Sequence, residues 1–389
     1  MIISFLFSSP DGDISPSAED LEKPFLISPS MPHPYLALGD YFNAARSFLL
    51  EDHWDGLLNA SHDQTGKPCR EEEIRKIIIR SEKQGAFYHV ASVEIEGREI
   101  SRKFSLVAAM TEKSRTVLER ECETLGFLHN RRPSSTLPRI YFRGDRDIVR
   151  GNQKETFSFL LEEWLEGYHE WHVTRNGTGR QYLNIWDQGK GYYTASDKLF
   201  FQLFHQAARI LTLLYDPETA CQVRPWHHAA GDFVIGNLKD EPSIRLTTAR
   251  GYEPLLTLPG KSPGKTLANL LFFFLDMGVR MRLDRLDGVS EVTWIEGNIL
   301  AAVMEGFFAA LNTMIHEGYF RETIPRDFLD LLKSFSPPEL ISAFEPLIET
   351  YQQGGQEELT IIMENLPGQV EELCSLKENF DLSNPPSGS

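Results

Sequence analysis

Cysteine is scarce in this chain: four residues, Cys69, Cys122, Cys221 and Cys374, among 389. None lies in a CxxC pair or beside a histidine at metal-ligand spacing, which excludes a zinc module and a disulfide framework and leaves reduced thiols. Positive charge is also in deficit. With 39 Lys and Arg against 56 Asp and Glu, the formal charge is −17, so affinity for a phosphate backbone is not expected and nucleic acid is not an expected partner. Long hydrophobic runs are missing too. Leu267–Leu275, broken by Asn269, is about half of the ~20 residues that a membrane span takes. The apolar start Met1–Phe7 has no basic residue before it and runs at once into Ser8-Ser9-Pro10, unlike a secretory signal. A cytoplasmic chain without a membrane span is expected. The sequons at Asn59 and Asn176 then carry no glycosylation meaning.

What is present is an ordinary globular composition, 41% hydrophobic and 24% charged. The length exceeds the ~250–300 residues that one hydrophobic core serves, so two core-bearing lobes are expected. Residues 1–35 and 381–389 are rich in Ser and Pro and read as loosely held, the latter as a disordered tail. Leu38, Tyr41, Phe42, Ala45, Phe48 and Leu49 form a helical stripe, giving residues 1–74 the reading of a partly helical extension. Arg70–Glu73 reads as a helix start leading into Ile74, Ile77, Ile78 and Ile79. Phe87–Ile95 then alternates, Glu96-Gly97 turns, and Glu99–Val107 reads as its hairpin partner. Thr111–Leu128 is helical, and Leu137–Phe142 and Phe157–Leu165 are strands. The aromatic stretch Tyr168–Ser196 reads as one or two hairpins, residues 216–258 as short strands and loops, and Asp197–Tyr215 and Lys265–Glu378 as helices. No internal repeat is visible.

Two short motifs mislead. Gly260–Thr266 looks like a phosphate-binding Walker loop, but it has three residues between its glycines instead of four, one of them a proline without an N–H. His169-Glu170-Trp171-His172 clusters ligand types without the i, i+4 spacing of a helical zinc site and reads as an amphipathic strand with an outward histidine. The informative segment is Pro225–Asn237. Asp232 followed five residues later by Asn237, in a tight loop, is the spacing of a kinase-type catalytic loop, in which the Asp meets the attacking hydroxyl and the Asn turns back to a phosphate-bridging metal. Upstream, Lys103 lies on a strand, Glu121 on the following helix, and Leu160–Gly167 reads as a last strand and hinge.

In this order the elements and residues resemble the aminoglycoside phosphotransferase and choline kinase-like branch of the protein-kinase fold, over about residues 75–330. The resemblance implies an α+β, two-lobed fold: a small antiparallel-sheet lobe with one helix over 75–166, and a large, mainly helical lobe over 167–380 holding a catalytic loop at 225–237. It implies ATP and Mg2+ bound between the lobes and γ-phosphoryl transfer to a hydroxyl of a small-molecule acceptor. Asp232 would be the catalytic base and Asn237 a magnesium ligand. Lys103 would bind phosphate with Glu121 as its partner, Gly85 would lie in the phosphate-covering loop, and Glu163 and Trp164 in the adenine-binding hinge.

The sequence also departs from that pattern. Ser81–Phe87 has a single glycine, Gly85, where a glycine-rich loop is usual. Ala230 stands two residues before Asp232, where the family carries His, and His228 lies four before. The metal-binding Asp of the segment after the catalytic loop is replaced by Thr247 or Thr248, neutral and weaker ligands for a hard cation. Glu253 or Asp240 could supply the carboxylate from a shifted register, or Arg250 could act as a fixed cation in its place. The residues leave two expectations: an ATP-dependent small-molecule phosphotransferase, or a pseudokinase that binds nucleotide or acts through its surface without catalysis. A helical protein with no kinase relation would need the whole ordered set to arise by chance.

Overall fold

The structure is a computed structural model. It describes residues 1–389 apart from 10–11, 86, 99, 133–135, 188–190, 228–230, 238–240, 257–262, 289, 353–354 and 383–389. Asp240, His228, Ala230, the start of the Walker-like stretch and nearly all of the C-terminal tail therefore lie outside the described residues. The fold is α+β. The chain divides into two compact units, one of residues 1–134 with 138–166, the other of 135–137 with 167–389.

The first unit opens with β1 (Ile2–Phe7), α1 (Ala18–Leu21), β2 (Pro24–Ser28), β3 (Met31–Ala37), α2 (Leu38–Ser47) and α3 (Trp54–Thr65). It continues with β4 (Ile74–Gln84), β5 (His89–Gly97), β6 (Ser101–Ala109), α4 (Glu112–Arg131), β7 (Ile140–Arg150) and β8 (Gln153–Glu163). Six strands form one sheet in the order β1-β4-β5-β6-β8-β7, antiparallel except for the parallel β1–β4 pair. Strand side chains alternate between faces, which splits the residues of β6. Phe104 and Leu106 join a core with Ile77, Ile79, Val93, Phe159 and Leu161, closed by Tyr41, Phe42 and Phe48. On the opposite face Val107 and Ala109 pack with Leu160 and with Leu118 of α4.

Three readings of this region are corrected. Ile2–Phe7 is not loose: β1 runs in register beside β4, and Phe5 stacks on Phe42 with centroids 4.8 Å apart. The stretch from Ile74 is a strand, because β-branched side chains suit a pleated surface better than a helix. Residues 1–74 are not an appendage, since they supply half of the walls of the first core.

The second unit begins with a three-stranded sheet, β9 (Trp171–Arg175), β10 (Gln181–Asp187) and β11 (Gly191–Thr194), followed by α5 (Asp197–Leu213). Four short strands come next: β12 (Cys221–Val223), β13 (Phe233–Gly236), β14 (Ser243–Leu246) and β15 (Tyr252–Pro254), paired as β13–β14 and β12–β15. Helix α6 (Pro263–Arg280) leads to a small hairpin absent from the sequence reading, β16 (Leu283–Arg285) with β17 (Val292–Trp294). The chain ends with α7 (Ile299–His316), α8 (Ile324–Ser334), α9 (Pro337–Ala343), α10 (Glu345–Tyr351) and α11 (Gln356–Asn379). Helices α5 and α7 approach closely at Gly306, where an added Cβ would lie 2.2 Å from the His205 carbonyl oxygen. Among the described residues α7 is the one helix long and apolar enough to cross a membrane, and most of it is buried within the fold.

Candidate functional site around Asp232

Arg224 and Asp232, ahead of and at the start of β13, are fixed by backbone contacts. Arg224 N–H donates to the Gly251 carbonyl at 3.0 Å, and Thr247 N–H donates to the Asp232 carbonyl at 2.7 Å. The residue between loop and strand, Gly231, has φ +72°, and a Cβ there would meet the Glu170 carboxylate at 2.6 Å. Both the left-handed backbone and the close approach require glycine. Asp232 therefore enters the unit's interior with its direction set.

Its side chain is almost fully buried, at 2% exposure. Arg250 grips it with two bonds, Nη2 to Oδ1 at 2.8 Å and Nη1 to Oδ2 at 3.0 Å, and the His227 N–H adds a third at 2.8 Å. A bidentate, charge-assisted pair of this kind fixes the carboxylate's orientation and sets a cation against both of its oxygens. The charge is satisfied in place.

The residues that would hold magnesium do not fit the ion. Thr247, where the resemblance expects a carboxylate, gives its hydroxyl to the Gly231 carbonyl at 2.9 Å, and Thr248 is buried. Asn237 adopts φ +57° and donates its amide to the Glu241 carbonyl at 3.2 Å. Glu253 lies exposed on β15, opposite Gln222 of β12. A hard divalent cation prefers converging anionic oxygens. Among the described residues no group of three or more His, Cys, Asp or Glu is placed to hold a metal.

Beside Asp232 lies a charged cluster in which His172, expected to point outward, is instead largely buried. His172 of β9 has Nε2 3.7 Å from Glu170 and Nδ1 3.8 Å from Asp284 of β16. Asp284 is fully buried and also accepts the Val173 and Arg285 N–H groups, each at 2.7 Å. Burial by itself would lower the imidazole's pKa, but the nearby carboxylates of Asp284 and Glu170 outweigh it and raise the value to about 9. The opposite holds for His227, which burial pushes down against the charges of Asp284 and Asp232. The signal available in the sequence was the alternation of Glu170 and His172 on one strand face. Asp284 was not findable, because its short hairpin interrupts a helical pattern.

In the first unit, the Lys103 ammonium lies 3.3 Å from Glu94 and 4.0 Å from Glu166, and 4.3 Å above the Trp164 ring. Glu94 stands opposite Lys103 in the β5–β6 register, so the hairpin itself creates the pair. Arg80 extends the row, bonding Glu94 at 2.8 Å and Asp13 twice at 2.7 Å. Glu121, the partner that the resemblance implies for Lys103, accepts instead from the Tyr88 hydroxyl at 2.9 Å. Near it Glu162 accepts from Ser105 at 3.2 Å. Burial and the charge of Glu121 push Glu162 up to about 8, with the Ser105 bond working the other way. Glu163 accepts from the Arg139 N–H at 3.1 Å, and Gly85 closes a turn by donating to the Tyr88 carbonyl at 2.8 Å.

The structure thus joins Asp232 to Arg250, and Lys103 to Trp164, while Asn237, Glu253 and Glu121 each have other partners or surroundings. No protein-family model matches the sequence, and no curated protein gives a significant match.

Proposed function

We propose that this chain is a kinase-related module in which phosphoryl transfer is lost, a pseudokinase that retains a cation for nucleotide phosphate but not a catalytic base. The observation that carries the reading is the Arg250 clamp on buried Asp232. A cation held against both carboxylate oxygens opposes their meeting an incoming hydroxyl, and breaking such a buried pair costs about 3–5 kcal/mol. The kinase relation itself is supported by the order of elements, β4-β5-β6-α4-β7-β8 in an antiparallel sheet, followed by a mainly helical unit. Lys103, one-quarter exposed on β6, is the cation that nucleotide phosphate would recruit from Glu94.

The test is thermal stabilisation of the full chain by ATP with and without magnesium, together with ATP turnover. The expected result is equal stabilisation in both conditions, lost in Lys103→Met, with no turnover. Turnover that Asp232→Asn abolishes would instead establish the small-molecule phosphotransferase, and no stabilisation in either condition would remove the nucleotide from the reading.

A further inference from the structure

A cavity of about 380 Å³ in the second unit, separate from the Asp232 centre, is walled by β9, β10, β17 and α11. That volume falls within the range of small-molecule sites. Its lining combines one guanidinium, Arg175, two carboxylates, Glu291 and Glu296, the Trp294 indole and the aliphatic Ile361. We infer that it is a binding site for a free α-amino acid with an apolar side chain, the α-carboxylate on Arg175, the α-ammonium toward Glu296 and Glu291, and the side chain on Trp294 and Ile361.

The walls are fixed in a way that suits two-ended recognition. Gln181 ties β10 to the end of β17 twice: its amide donates to the Trp294 carbonyl at 2.9 Å, and its oxygen accepts from the Glu296 N–H at 2.9 Å. The backbone on either side of the indole is therefore held still. Arg175 Nη2 donates to the Thr293 hydroxyl at 2.8 Å, while Glu291 stands 4.0 Å from Nη1. The anchoring bond uses one edge of the guanidinium and leaves planar donors for a carboxylate, which Arg takes in bidentate fashion. On α11, Asn365, also in the lining, donates its amide to the Ile361 carbonyl at 2.8 Å. Two carboxylates against one guanidinium make the lining net negative. A lone carboxylate ligand is disfavoured there, and one that adds an ammonium is favoured.

The experiment is thermal stabilisation of the full chain by L-leucine, isovalerate and isoamylamine, which share an apolar body and differ in their charged ends. The expected result is a saturable shift with L-leucine alone, with affinity weakened roughly tenfold or more by Arg175→Gln and by Glu296→Gln, as for loss of a charge-assisted hydrogen bond. Both positions are at the surface, and each variant's melting point without ligand reports whether it has folded. An equal shift with isovalerate or isoamylamine overturns the two-ended site. So does an L-leucine shift that survives in both variants, or no shift with any of the three.

Discussion

Arg250 and Asp232 are worth more together than either is alone. Asp232 has 2% of its side chain exposed and Arg250 21%, so removing the cation leaves a buried, uncompensated carboxylate. Arg250→Ala is expected to lower stability by about 3–5 kcal/mol in urea denaturation at pH 7, and the double variant Arg250→Ala with Asp232→Asn to recover part of that loss. A double variant no better than the single one would mean that Arg250 acts through packing. His172 gives a pH-dependent counterpart. Its pKa is about 9 in the folded state against an ordinary 6.5, so the folded chain binds the proton more tightly. The resulting stabilisation is fully present below about pH 6.5 and is lost as pH rises through about 9. His172→Gln should flatten the stability–pH curve across that window, and an unchanged curve would place the histidine outside it. Glu162 has the same sign for a different reason. Its acid form is favoured up to about pH 8, so ionisation costs stability increasingly as pH rises from about 4.5 to 8. Glu162→Gln is expected to stabilise more at pH 8 than at pH 5, measured by the same denaturation series.

At the scale of elements, the first sheet derives its stability from a segment that looked detachable. Phe42 and Phe48 are fully buried between the sheet and its neighbours. Replacing Phe42 by Ala should cost about 3–5 kcal/mol, read as a shift in denaturant midpoint at constant slope. The helical periodicity of 38–49 was readable because the apolar spacing is that of one helix face. The helix start at Arg70–Glu73 is one 3-10 turn, Glu71–Glu73, and it does not continue because the four isoleucines that follow within six residues fit several periodicities and pairing with β1 and β5 decided the matter. Likewise the β16–β17 hairpin is only three residues per strand, too short for alternation to show against the helices around it.

For the molecule as a whole, the core of the first unit is made entirely of residues before Glu166. A chain of residues 1–166 is expected to show a cooperative denaturant transition, whereas 75–166, lacking Tyr41, Phe42 and Phe48, is expected to show none. Similar transitions in both fragments would return the first 74 residues to the status of an appendage. The sequence by itself determined the α+β class, the strand–strand–helix–strand–strand order over residues 87–165 and the mainly helical character of the second half of the chain. These depend on local periodicity and turn chemistry, which act over a few residues. Only tertiary structure decided the partners. Arg250 on Asp232, Glu94 on Lys103, Tyr88 on Glu121 and Asp284 on His172 join residues 9 to 112 positions apart. A side chain's charge is written in the sequence, but which opposite charge satisfies it depends on burial and register, and those exist only once the chain has folded.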